Sequence, residues 1–411
     1  MNGRHAICLV VDGLRASALG TYGNTTSPTP QLDALASRSA VVEWFWADSP
    51  HLDRFYRSVW GGLHALRQET SAGQSSLLEM LRQDGVALRI VTDQPCLSDQ
   101  TTLNLFDEVV QVESRAERPA LQIAETAMAQ FCSATVEQLE QWQSDGAGSL
   151  TWVHTRGLFG PWDAPPALRA QLLDEDDPPP ADFLYPPDAL RTVVDPDVLL
   201  VHRTAYAAQV AVVDACLGAL CRAIEEIMTD RLALVMLLGS RGFALGEHGS
   251  LGGDCRELFG ERLHLPWLLH VCDDQIPQPR LAGLAQPADV GATLLDWFGV
   301  QPGGDLVDGQ SVLSHLEQGS CTLRELAVAA GDQGERTLRT PAWLLRQDRS
   351  GAQPQLFAKA DDRWECNDIA VRFPRVVDRL RAELAEFERR CHDGHPLPNT
   401  ALDDELIRPL R

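Results

Sequence analysis

Few side chains in this sequence are both reactive in type and placed where a fold could use them. Asp12 follows directly on the apolar run Ala6-Ile-Cys-Leu-Val-Val11, so a strand-like segment ends on a carboxylate. Such a carboxylate can hold a divalent cation, and it can equally cap a turn or a helix. The stretch Ala47 to Gly62 carries Ser49, Asp53, Arg54, Arg57 and Ser58. Its hydroxyls and carboxylate offer a nucleophile, and its guanidiniums an anion site. On a helix surface the same residues simply face water or pair with neighbouring acids. Ser240 and Arg241 follow the apolar run Leu232 to Leu238, Glu247 and His248 sit between two glycines, and His154 closes the run Leu150 to His154, where it reads as a strand-end histidine. The ten cysteines show no CxxC and no paired Cys/His spacing, so no zinc site is expected. Cys216 and Cys221 read as packing residues on one helix, and free thiols are expected.

These residues need a scaffold. Strand-like runs at Ala6–Val11, Ala87–Val91, Leu150–His154, Leu232–Leu238 and Trp267–Val271 alternate with helical patterns. The alternation predicts an α/β fold with a mostly parallel central sheet flanked by helices. In such sheets functional groups gather beyond the carboxyl ends of the strands, and Asp12 stands at one. Val210, Val213, Leu217, Leu220, Ile224 and Ile227 recur at three- and four-residue steps and predict a helix from about Val201 to Met228. Between Asp174 and Asp197 the chain turns rich in Pro, Asp and Glu and reads as a long surface loop, with a lid as the other reading. From about Cys321 short runs at Ala342–Gln347 and Gln355–Ala360 precede an amphipathic stretch from Phe373 to Cys391. This pattern predicts a main domain over 1–320 and a C-terminal subdomain over 321–411, built of a short antiparallel sheet and a helix.

With 411 residues, 44% of them hydrophobic, the chain can bury a large core. Its 58 acidic against 35 basic side chains give a formal charge of -23, which repels phosphate backbones and anionic headgroups and argues against nucleic acid or membrane as partners. No apolar run reaches the length of a membrane span. Because the first strand begins by residue 6, there is no room for an export signal ahead of it, and a cytoplasmic location is expected.

Three linked segments then carry a family resemblance: Val10-Val-Asp-Gly-Leu-Arg15, Leu19-Gly-Thr-Tyr-Gly-Asn24 and Thr29-Pro-Gln-Leu-Asp-Ala-Leu-Ala36. Together they resemble the opening of the sulfatase family, in the alkaline phosphatase superfamily. Trp152 to Pro165 resembles that family's strand and His-x-Pro-Tyr loop. Leu238-Gly-Ser-Arg-Gly-Phe-Ala-Leu-Gly-Glu-His-Gly249 resembles its Ser-Asp-His-Gly segment followed by Gly-Glu-His-Gly. Glu261 to Pro266, Asp289 to Val300 and Asp308-Gly-Gln-Ser311 resemble its later landmarks, so the likeness covers nearly the whole chain.

The resemblance implies a site in which carboxylates and neutral ligands hold a divalent cation, which activates a nucleophile and neutralises developing charge. Asp12 matches the first metal-ligating Asp and is the only surviving candidate ligand; Gly13 stands where many relatives carry a second Asp. No Cys/Ser-x-Pro-x-Arg motif occurs between Ala47 and Gly62, so formylglycine has no usual precursor, and Asp53, Ser49 and Ser58 remain as conceivable substitutes. The family's Asp-His pair is replaced by Ser240-Arg241, its loop His by Phe159 and its Lys by Gly253. Glu247 and His248 survive, in positions that mainly shape a loop. A guanidinium beside Asp12 would repel a divalent ion, and Arg241 is expected to pair with Asp12 in the ion's place. The expectation is a pseudo-sulfatase without cofactor, binding at most a small anionic ligand through Arg54, Arg57 or Arg241. The alternative is an active sulfuric or phosphoric ester hydrolase with a rebuilt site and Ca2+ or Mg2+.

Overall fold

The computed structural model of the chain describes residues 3–67, 75–98, 103–142, 148–180, 182, 184–187, 190–191, 195–253, 257–272, 280–303, 306–318, 323–397 and 401–408. In chain order the strands are β1 His5–Val11, β2 Ala40–Trp46, β3 Ala87–Thr92, β4 Glu108–Gln111, β5 Ser149–Thr155, β6 Leu190–Arg191, β7 Ala233–Gly239 and β8 Ala244–Leu245. They continue with β9 Ser250–Gly252, β10 His264–Leu265, β11 Trp267–Cys272, β12 Arg280–Ala285, β13 Ala327–Ala330, β14 Arg336–Arg339, β15 Trp343–Gln347 and β16 Gln355–Ala358. The chain forms two compact units, one of residues 1–41, 82–255 and 266–278, the other of 42–81, 256–265 and 279–411. The boundary expected at 320/321 falls outside the described residues, and the segment beyond it shares its unit with two earlier stretches.

In the first unit the sheet runs β11-β7-β1-β5-β3-β4. β7, β1, β5, β3 and β4 are parallel, with Val11 level with Thr155 on one side and Gly239 on the other, and β11 is antiparallel to β7. All seven residues of β1, β5 and β7 are buried, as expected where helices cover both faces of a parallel sheet. The long helix Pro196–Ile227 buries one stripe against this sheet's core, and its Asp214 accepts hydrogen bonds from the N–H groups of Gln31 and Leu32, closing the start of the helix Pro30–Ala36. It is long and apolar enough to cross a membrane, yet two thirds of its most apolar window is buried in the fold, the pattern of a core helix. Within the segment expected as a surface loop, 181, 183, 188–189 and 192–194 are outside the described residues, and the helix begins at Pro196.

The second unit contains the four-stranded antiparallel sheet β13-β14-β15-β16. Val376, Leu380, Leu384, Phe387 and Cys391 on the helix Pro374–Asp393 pack on it at the three- and four-residue spacing of one helix face. The helices Leu52–Gly61 and Pro287–Phe298 approach so closely that a Cβ on Gly291 would lie 2.3 Å from the Val59 carbonyl oxygen. β10 pairs antiparallel with the end of β2, joining His264 to Trp46 and Leu265 to Phe45. Lys359, the chain's one lysine, is 6% exposed and donates to the Arg363 carbonyl at 2.6 Å and to Glu365. Among the described residues eight cysteines are free thiols, six of them buried, Cys216 and Cys221 included.

Candidate functional site

The parallel strands of the first unit deliver four chain segments to one edge. β1 ends at Val11 and hands on Asp12; β3 hands on Asp93 and Gln94; β5 ends on His154 and Thr155; β7 hands on Ser240 and Arg241. Asp12 is fully buried. Its N–H donates to the Thr155 carbonyl at 3.0 Å and its carbonyl accepts from Leu158 N–H at 2.8 Å, so its backbone is fixed from both sides. Gly13 follows with φ +80, where a Cβ would come within 2.8 Å of Leu158 Cβ, and only glycine turns the chain there without strain. The Gly13 carbonyl accepts from the Tyr206 hydroxyl at 2.9 Å.

The Asp12 carboxylate receives four donors. Arg241 grips it side-on, Nε donating to Oδ1 at 2.7 Å and Nη2 to Oδ2 at 2.8 Å. The Ser240 hydroxyl donates to Oδ1 at 2.9 Å and Gln94 Nε2 to Oδ2 at 2.9 Å. A carboxylate offers about four lone-pair sites, and all are engaged. The two parallel N–H···O bonds of the guanidinium fork are the stronger, charge-assisted kind. Arg241 lies with Cζ 3.8 Å from the centre of the Phe159 ring, within cation–π range. Phe159 in turn meets Phe243 edge-on at 5.4 Å. A Cβ built on Gly253 would fall 1.9 Å from Phe159 Cε1, so the ring takes the space that a side chain at 253 needs. The exchanges at 159, 241 and 253 therefore fit one another as a packed group.

His154 is fully buried beside this group, and burial pushes its imidazole down to about 4, with the Arg241 charge adding to the shift and the Asp12 charge opposing it. At neutral pH it is an uncharged packing group. Arg15 Nη1 donates to Glu247 Oε1 at 2.5 Å, and Leu245 N–H donates to Oε2 at 2.8 Å. Burial raises the Glu247 carboxyl, but the Arg15 charge, the Arg15 hydrogen bond and the backbone N–H groups of Glu247 and Leu245 together outweigh it and hold the group below the usual glutamate range. Glu247 thus shapes the β8–β9 turn, in which His248 is half-buried.

The remaining candidates lie in the second unit, each held by groups of that unit. Ser58 is fully buried and its hydroxyl donates to Asp48 Oδ2 at 2.5 Å. Burial raises the Asp48 carboxyl, against the opposing influence of His64, Ser58 and Ala65 N–H. Arg54 Nη1 donates to the Ala65 carbonyl at 3.0 Å, and Arg57 donates to the Arg67 carbonyl. Asp53 projects outward, its side chain 80% exposed and 3.8 Å from Arg54. Asp308, in the turn resembling the family's Asp-Gly-x-Ser, is clamped by Arg67 through Nε to Oδ2 at 2.5 Å and Nη2 to Oδ1 at 2.5 Å.

A model of the sulfatase family matches residues 4–300, well over half of the chain. The chain belongs to the sulfatase family. Solved structures agree at the level of fold. Phosphonate monoester hydrolase of Agrobacterium radiobacter superposes with a TM-score of 0.76 at 15% identity, over 95% of this chain and 96% of that one. A 2-O GAG sulfatase gives 0.70 at 14% identity, over 95% and 93%. A protein solved with its substrate D-glucosamine-2-N,6-O-disulfate gives 0.71 at 14%, over 96% and 99%. No curated protein matches by sequence.

The sulfatase family implies a divalent cation at this edge. The donors present do not fit one: Asp12 has no open lone pair, its neighbours are a cation, a hydroxyl and an amide, and among the described residues no three His, Cys, Asp or Glu side chains converge as ligands. Two contributors escaped the sequence reading. Gln94 is the second residue after β3 and was discoverable only from the rule that sheet ligands gather at strand carboxyl ends. Asp48 lies ten residues before Ser58, a separation with no motif to mark it.

Proposed function

We propose that this sulfatase-family protein is catalytically inactive, a pseudo-sulfatase in which the Arg241 guanidinium occupies the electrostatic role of the divalent cation. The observation that carries the reading is the saturation of Asp12 by Arg241, Ser240 and Gln94. Binding a divalent ion there would have to displace the two-bond guanidinium fork from the buried carboxylate. It would also set a double charge beside the guanidinium, at about 8 kcal/mol for a separation of about 4 Å and an effective dielectric of about 20. The protein then serves as a binding or scaffolding module, with the edge kept in shape by a salt bridge instead of a metal. A small anion gains little at Arg241, whose charge Asp12 already balances, and Arg54 and Arg57 are committed to backbone carbonyls. The net charge of -23 keeps nucleic acid and anionic membranes outside the proposal.

The alternative, an ester hydrolase with a rebuilt centre, has one point in its favour: Ser58 is hydrogen-bonded to a carboxylate. Against it, Ser58 is fully buried, with no exposed surface for a substrate to reach. Assay of the purified protein with aryl sulfate and with phosphate mono- and diesters, each with Ca2+, Mg2+, Mn2+ or Zn2+, separates the two. The proposal expects no turnover and no stoichiometric metal by elemental analysis. Turnover that Ser58→Ala abolishes, with the fold intact, would establish the hydrolase.

A further inference from the structure

A cavity of about 520 Å3 opens within the second unit, walled by the start of the helix Leu52–Gly61, the β13–β14 turn and the end of β15. This volume is within the range of small-molecule sites. Its lining sets three guanidiniums, Arg54, Arg336 and Arg349, against three carboxylates, Asp332, Asp348 and Glu388. Two pairs of these face each other directly: Arg336 Nε donates to Glu388 Oε1 at 2.6 Å, and Arg54 lies 3.9 Å from Asp332. A balanced lining offers no net attraction to a simple anion or cation, and the charge of the whole chain repels anions further. An apolar ligand would strip water from these groups without replacing their hydrogen bonds.

What satisfies such a lining is a neutral ligand whose closely spaced groups each donate and accept. A hydroxyl does both. A pair of neighbouring hydroxyls can accept from a guanidinium and donate to the carboxylate beside it, adding to the ion pair without parting it. Gln333 supplies an amide with the same double capacity, while Gln347, whose oxygen accepts from Arg381 Nε at 3.2 Å, keeps its NH2 to donate. On the inner wall Ser49 is 2% exposed; its oxygen accepts only a long 3.4 Å contact from His51 N–H, and its own proton is donated to no described group. Gly334 at φ +94 leaves room in the turn for Arg349, whose Cβ would lie 2.8 Å from a Cβ at 334.

We propose that this cavity binds a neutral polyhydroxylated ligand, a saccharide of one or two rings. The inference does not depend on the reading of Asp12. Isothermal titration of the full chain with glucose, galactose, N-acetylglucosamine, lactose and cellobiose tests it, with sodium sulfate as the anion control. Saturable binding of at least one sugar is expected, undisturbed by sulfate and weakened about tenfold, or 1.4 kcal/mol, by Arg336→Ala. Gln333→Ala, on the exposed turn, keeps the test decisive should Arg336→Ala fail to fold, and is expected to weaken binding about threefold. The proposal is overturned by the absence of saturable heat from every sugar, by sugar binding that the folded variants leave unchanged, or by binding of sulfate alone.

Discussion

Replacing Arg241 by alanine removes two of the four donors on a carboxylate that is itself wholly buried. Truncating one partner of such a pair leaves an uncompensated charge, at about 3–5 kcal/mol. Loss of the stacking on Phe159 adds about 1 kcal/mol. Arg241 is only 18% exposed, so little of this is screened by water. The sum, about 4–6 kcal/mol, is a large share of the 5–15 kcal/mol that holds a typical domain folded. At about 2–4 °C per kcal/mol for units of this size, the melting temperature should drop by at least about 8 °C. Urea unfolding at pH 7.5 and low salt measures the change directly. A cycle with Asp12→Asn and the double variant isolates the pair, and a coupling of about 2 kcal/mol or more is expected between groups in direct contact. Arg241→Lys should recover only part of the loss, because a point charge cannot make the fork's two parallel bonds. A cost below about 1 kcal/mol for Arg241→Ala would place the pair among ordinary surface bridges and refute the idea that the guanidinium holds this edge together.

Gly253→Ala should cost about 1–3 kcal/mol as the new methyl forces the Phe159 ring off Arg241, and Phe159→Ala in the same chain should make that methyl harmless; chemical unfolding of the three variants checks both. His154 has a pH signature. Between its unfolded value of 6.5 and its folded value of about 4 the unfolded chain takes up a proton that the folded chain refuses, so stability falls as pH falls through that window. About 2 kcal/mol of the loss between pH 7 and pH 4.5 is assigned to this group, and His154→Gln should lack it in paired denaturation curves. Ser58→Ala withdraws a hydrogen bond from the buried Asp48 carboxyl and should destabilise by about 1–3 kcal/mol, read from the urea midpoint.

The long strands were legible because parallel strands covered on both faces must be continuous apolar runs, and β1, β3, β5, β7 and β11 all lie where such runs stand in the sequence. β6, β8 and β9 are two or three residues long and carry no period to detect. β2 was missed because Glu43 interrupts its apolar run Ala40–Trp46, and Gly283 does the same to β12, which opens on Arg280. At the site, the exchange of an anionic ligand for Arg241 announced a pairing with Asp12 through charge alone. That Phe159 covers the guanidinium and excludes a side chain at 253 was not visible, since contact between three loops depends on tertiary packing. Arg54 and Arg57 were candidates by residue type alone; the carbonyls of Ala65 and Arg67 that accept from them are not revealed by composition.

The buried Lys359 has a consequence for chemistry at the protein's exterior. With a single lysine in 411 residues, folded into a pair with Glu365, enzymes and reagents that acylate or conjugate side-chain amines find no target on the native surface. Arginine carries nearly all the positive charge and resists that chemistry. Acylation of Lys359 can therefore proceed only as fast as this region opens, which makes one residue a built-in clock for local unfolding, readable by mass spectrometry without any introduced label.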